Sequence, residues 1–191
     1  GFSVLRVINE DMVAPGTGFG MHGHKNMEIL TWVLSGTLRH QDSLGHVQDL
    51  SPGEIQRMSA GAGIRHAETN PSGSDQVHLL QIWIQPSRPG LAPSYEQIAI
   101  PDGALDGKLF AVATPDGKVG SVKIQQDATL LVGRFQAGQI LSHAVPAGRK
   151  AWVQVAHGSC TVGGLSLQAG DAVFTTDEAL VEVVADGDGE V

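Results

Sequence analysis

Residues 31–61, TWVLSGTLRHQDSLGHVQDLSPGEIQRMSAG, set the limits on what this chain can fold into. Stretches of strand length alternate with SG, DSLG, SPG and AGAG, all of which are turn chemistry. Asp42-Ser43-Leu44-Gly45 reads as a hairpin loop in which Gly45 supplies a positive φ. The same texture runs through the first half. SVLRVI (3–8), MEILTWVL (27–34), TLRHQD (37–42), HVQDL (46–50), EIQRMSA (54–60) and VHLLQIWIQ (77–85) are strand-like, and few segments hold a helical period. The 25 glycines and sparse charge suit many short strands joined by tight turns. The 41% hydrophobic content is enough for a buried core.

The stretch 86–107, PSRPGLAPSYEQIAIPDGALDG, is rich in Pro and Gly and reads as a linker that carries a short strand of its own. Beyond it the first half is repeated. LLVGRFQAG (130–138), KAWVQVAHGSCTVGG (150–164), LSLQAGDAVFTT (165–176) and ALVEVVA (179–185) are again strands with Gly turns. Gly16 precedes His22 by six positions and Gly36 by twenty; Gly138 precedes His143 by five and Gly158 by twenty. TWVLSGTL (31–38) then aligns with VQVAHGSC (153–160), and LSPGEIQ (50–56) with LQAGDAV (167–173). The ordered set predicts two copies of one β-barrel unit, residues 1–105 with the linker and residues 106–191.

Composition removes several classes of function. A net charge of −8 and no basic run argue against direct nucleic-acid binding, which needs clustered Lys and Arg. No apolar run approaches the ~20 residues of a membrane span. No signal-peptide pattern opens the chain, but it begins with Gly inside a strand-like segment, so further terminal residues are expected. The single cysteine, Cys160, allows no internal disulfide and is expected to be a small buried hydrophobe.

The chemistry lies in the eight histidines. In a strand, residues i and i+2 point to one face about 7 Å apart. His22 and His24 satisfy this if their glycine-rich segment is extended. His66 and Glu68 have the same spacing. On facing strands the two pairs would present three imidazoles and one carboxylate to a common centre. That donor set suits iron, manganese, cobalt, nickel, copper or zinc and leaves two positions open on an octahedral ion. Glu28, four residues after His24, is a second candidate carboxylate. His40 and His78 alternate within strands and are read as satisfied structural residues rather than ligands or ligand-orienting partners. His46 and His157 flank turns and are expected to be exposed, and His143 to face solvent.

Gly16, His22, His24, Glu28 and Gly36 resemble the first cupin motif, with one residue too many before the last glycine. GIRHAETN (63–70) resembles the end of the second motif without its usual proline. Residues 22–72, with DSLG, PGEIQRMSAG and GIRHAE, are more specifically similar to the pirin family, in particular to its bacterial members with quercetin 2,3-dioxygenase activity. The similarity extends through QIWI (81–84) and WVQV (152–155), and relatives have further residues at both ends. It implies an all-β bicupin of two tandem jelly-roll-type barrels, with metal only in the N-terminal one. The implied ligands are His22, His24, His66 and Glu68, and Glu28 would not ligate. A straight strand agrees, since Glu28 would stand about 13 Å beyond His24.

The resemblance implies one divalent transition-metal ion, Fe(II) first, with Cu, Ni, Co, Mn and Zn compatible. It implies a dioxygenase that opens the central ring of a flavonol such as quercetin with dioxygen and releases carbon monoxide, with Glu68 as the group that takes the 3-hydroxyl proton. Met21, Met58, Trp32 and Trp83 are candidates for apolar walls, although core packing explains each of them alone. The rival expectation is a non-enzymatic, redox-sensing pirin that acts on a protein partner, a transcription factor or an enzyme. A cytoplasmic monomer without a membrane or nucleic-acid partner is expected in either case.

Overall fold

The computed structural model describes residues 1–118 and 120–191; among them are twenty β-strands and no helix. No helix long and apolar enough to cross a membrane occurs among the described residues. Two compact units form, and the chain crosses between them three times. Gly1–Ile100 with Val112–Leu130 make the first, and Pro101–Ala111 with Leu131–Val191 the second. The sequence expectation drew one boundary, at 105/106.

The first unit opens with β1 (Leu5–Val13), β2 (Gly18–His24), β3 (Glu28–Ser35), β4 (Leu38–Asp42), β5 (Val47–Leu50), β6 (Glu54–Ser59), β7 (Ile64–Thr69), β8 (Val77–Ile84) and β9 (Ser94–Ala99). They pair antiparallel into two sheets, ordered β1-β8-β3-β6-β9 and β2-β7-β4-β5. The strand inside the proline-rich stretch is β9, which pairs with β6 along its whole length and so belongs to the sheet. Val13, Val33, Leu38, Leu50, Val77 and Leu79 form one buried cluster, and Ile29, Met58, Ala60 and Ile64 another. Each fully buried side chain of this size contributes about 1.5–3 kcal/mol. Alternation on β4 and β7 is strict: Leu38, His40 and Asp42 are buried, as are Ile64, His66 and Glu68. Polar groups thus occupy inner positions that apolar side chains usually fill.

β10 (Phe110–Thr114) pairs in parallel with β11 (Val122–Lys123). Hydrogen bonds hold this segment in the first unit: Lys123 N–H donates to Glu96 at 3.0 Å and Gln125 N–H to Glu28 at 3.1 Å.

After β12 (Leu130–Val132) the second unit contains β13 (Arg134–Phe135), β14 (Ile140–Ala144), β15 (Ala151–Gln154), β16 (Ser159–Val162), β17 (Leu165–Gln168), β18 (Ala172–Thr175), β19 (Leu180–Ala185) and β20 (Gly189–Glu190). Its four-stranded sheet, β14-β19-β16-β17, repeats the order of β2-β7-β4-β5. The glycine pattern that suggested a repeat has a structural cause. Gly36 and Gly158 both have φ of +78°. A Cβ at Gly36 would lie 2.6 Å from the Gln76 carbonyl oxygen, and one at Gly158 2.1 Å from that of Asp188. Only glycine fits both constraints. The core of this unit includes Phe135, Leu141, Val145, Val162, Val181, Val183 and Cys160, which is fully buried as expected.

Candidate metal centre

The two histidine-bearing arms meet because β2 lies directly against β7. At Gly18 an added Cβ would fall 2.2 Å from the Glu68 carbonyl oxygen and 2.6 Å from Thr69 Cα, so glycine permits the approach. Further along, Phe19 faces Glu68 and His22 faces His66, three steps on β2 against two on β7. This bulge re-aims the strand just before its histidines. His22 and His66 are thereby direct cross-strand partners, and His24 stands opposite Ile64.

The three imidazoles converge. Ring centroids are 4.8 Å apart for His22 and His24, 4.5 Å for His22 and His66, and 4.9 Å for His24 and His66. One nitrogen from each falls within 4.8 Å of the others. His22 and His24 are half-buried and His66 is fully buried, so the cluster is open on the β2 side. The Gly20 carbonyl, 2.7 Å from His22 Nδ1, can only accept, so Nδ1 carries the proton. His22 Nε2 is left with its lone pair, 3.1 Å from His66 Nε2. A ring fixed from behind by a carbonyl or carboxylate is the usual arrangement of a ligating histidine.

Burial, followed by repulsion from His22, His24 and His40, pushes the His66 imidazole down to about 3. Burial and the neighbouring His22 lower His24 as well. Both are therefore neutral at pH 7, the form that binds metal. Glu68 is 2% exposed. Its Oε2 accepts from Gln81 Nε2 at 2.8 Å, and Gln81 Oε1 accepts from the Trp83 indole at 2.9 Å. Its Oε1 is buried without a partner. Burial pushes the carboxyl up to about 7, against the opposing pull of Gln81 and His22. The carboxylate lies within 4.8 Å of donor atoms of both His66 and His40.

Glu28 sits elsewhere. Asn26 takes a positive φ of 52°, and the chain turns there from β2 into β3, a strand of the other sheet. Glu28 is buried and its Oε2 accepts from Ser59 Oγ at 2.8 Å and from the Gln125 amide. Of the candidate apolar walls, Met58 and Trp32 lie in the core and Met21 is exposed. Trp83 is half-buried and meets His24 edge to face at 4.9 Å.

His40, expected from the sequence to be a satisfied structural residue, has one ring nitrogen, Nδ1, buried without a partner. It is fully buried, pairs with Glu68 across the β4–β7 ladder, and lies 5.5 Å from the His66 ring. Asp42 accepts from His40 Nε2 at 2.9 Å and from His46 Nδ1 at 3.0 Å, so His46 is half-buried and engaged. Tyr95 stacks on both rings. The signal in the sequence is His40-Gln41-Asp42, a third i, i+2 polar pair in an alternating strand. In the second unit, His143 is half-buried opposite Val181, and His157 is exposed.

Residues 2–84 match the family model described as Pirin, and residues 111–191 that described as Quercetinase C-terminal cupin domain. The quercetin 2,3-dioxygenase of Escherichia coli (strain K12) is 45% identical over 191 residues, covering 100% of this chain and 81% of that protein. The crystal structure of YhhW from Escherichia coli superposes with a TM-score of 0.94 at 43% identity, covering 100% of this chain and 80% of the other. The crystal structure of the bacterial pirin YhhW in complex with nickel(II) gives a TM-score of 0.91 at 43% identity, over 100% and 81% of the two chains.

Proposed function

This chain belongs to the pirin family and has its two-cupin fold, and on that premise we propose that it is a metal-dependent flavonol dioxygenase. His22, His24, His66 and Glu68 would hold one divalent transition-metal ion, Fe(II) first among those the donors accept. The reaction would open the central ring of a flavonol such as quercetin with dioxygen and release carbon monoxide. The observation that carries the reading is the convergence of three imidazoles beside a buried carboxylate with one unpartnered oxygen.

A bound ion would supply Lewis-acid polarisation of the flavonol 3-hydroxyl and a redox centre for dioxygen. Glu68 would receive the hydroxyl proton on Oε1, while Gln81 holds Oε2 and fixes the plane of the carboxylate. Substrate would approach from the β2 side, where His22 and His24 are half-exposed. The edge of Trp83 against His24 gives that approach an aromatic wall for a planar ring. The nickel-bound relative and the relatives named quercetin 2,3-dioxygenase support the reading.

The test is aerobic incubation of metal-loaded protein with quercetin, following its visible band and carbon monoxide release. Loss of the band with stoichiometric carbon monoxide is expected. Absence of turnover with iron, copper, nickel, cobalt and manganese alike would overturn the enzyme reading.

A further inference from the structure

We propose that this barrel has a second seat for the metal ion, formed by His40, His66 and Glu68. The inference rests on reading the barrel as metal-binding and goes beyond the ligands proposed above by adding His40. Donor atoms of the three residues lie within 4.8 Å of one another, and all three side chains are fully buried. Four buried side-chain polar atoms lack a hydrogen-bond partner among the described residues, and three of them are His40 Nδ1, His66 Nδ1 and Glu68 Oε1. Buried polar atoms are otherwise almost always paired, so one unpaired atom from each member of a single cluster points to a ligand.

The state of His40 agrees. The Asp42 carboxylate, which also accepts from the Leu44 and His46 amides, stands 2.9 Å from His40 Nε2, so the His40 proton sits on Nε2, pointing at Asp42 Oδ2. Nδ1 is left with a free lone pair. A carboxylate behind one ring nitrogen and a lone pair on the other is the arrangement of a metal-ligating histidine. The ladder pairing of His40 with Glu68 and the stacking of Tyr95 on the His40 ring hold it there.

The two seats share His66 and Glu68. Two divalent ions so close would repel strongly in a buried site, so the seats are alternatives for one ion. The outer seat adds His22 and His24 to that shared pair, and these two half-buried rings leave it open to substrate. The inner one has one carboxylate and two imidazoles and is enclosed.

Cobalt(II) binding to full-length protein tests this by titration and visible absorption, without reference to catalysis. The His22→Ala/His24→Ala variant should still bind one cobalt per chain. Adding His40→Ala should weaken that binding about 100-fold or more. A folded double variant that binds no cobalt while the wild type binds it overturns the second seat alone. So does an unchanged affinity on adding His40→Ala. A wild type that binds no cobalt overturns the metal reading of the barrel as well. Circular dichroism establishes folding. If the double variant does not fold, His22→Gln/His24→Gln with and without His40→Ala gives the same comparison with less perturbation of β2.

Discussion

In the first unit the sheet β2-β7-β4-β5 pairs His22 with His66 and His40 with Glu68. In the second, β14-β19-β16-β17 pairs His143 with Val181 and Val162 with Val183. The sheet order is the same and the cross-strand partners match, so the two units are one architecture with two inner faces. Val162, Val181 and Val183 sit in the hydrophobic cluster of the second unit. Their counterparts leave three buried polar atoms without partners in the first. Burial of apolar surface is thus given up at one inner face and kept at the other, which is the expected signature of a site against a plain core.

Exchanging the inner faces tests this comparison most severely. Val183→Glu places a carboxylate at the register position of Glu68 but with valines across from and beside it. An unpaired buried charge of this kind costs about 3–5 kcal/mol, so denaturant unfolding should show a loss of that size. A loss below about 1 kcal/mol would mean that the second barrel tolerates polar groups as the first does.

Metal should act on one barrel only. At free nickel(II) of about 100 times its Kd, the wild-type protein gains about 2.7 kcal/mol, a rise of roughly 5–10 °C in Tm. The gain should vanish in His66→Ala, which removes a histidine common to both donor sets. A full gain in that variant, measured by calorimetry, would move the metal site elsewhere.

The two buried glutamates of the first barrel give the next contrast. Glu28→Ala should leave nickel stoichiometry at the wild-type value. It should also destabilise the protein by about 1–3 kcal/mol, because the Ser59 hydroxyl and the Gln125 amide lose their acceptor. Glu68→Ala should lower nickel affinity instead. The reverse pattern in metal titrations would make Glu28 the ligand.

Much of this was legible in the sequence, for identifiable reasons. The strands β3, β4, β6 and β8 read correctly because apolar or alternating runs are bounded by Gly and Pro turns. The repeat read correctly because Gly36 and Gly158 answer the same backbone constraint. His22, His24, His66 and Glu68 could be grouped because i, i+2 spacing fixes which face a side chain takes within one strand. Spacing says nothing about which residue of another strand stands opposite, and that is why His40 was passed over. Its place beside the other donors comes from the cross-strand register with Glu68 and from Asp42 behind it. The return of residues 112–130 to the first unit was hidden for a similar reason. Its ties include single hydrogen bonds from backbone amides to the Glu28 and Glu96 carboxylates, which leave no periodic pattern.

The smallest effect concerns His143, the one histidine that the second barrel keeps at a site position. It shares the register place of His22, but its ladder partner is Val181, and Val183 stands where Glu68 would be. A lone imidazole offers an ion one donor, far short of the three or four that hold a transition metal. His143 is half-buried, so truncation opens no large cavity. His143→Ala should therefore change stability by less than about 0.5 kcal/mol and leave nickel stoichiometry and affinity as in the wild type. A measurable drop in bound nickel would show that the second barrel still takes part in metal binding, and the contrast between the two inner faces would then be one of degree.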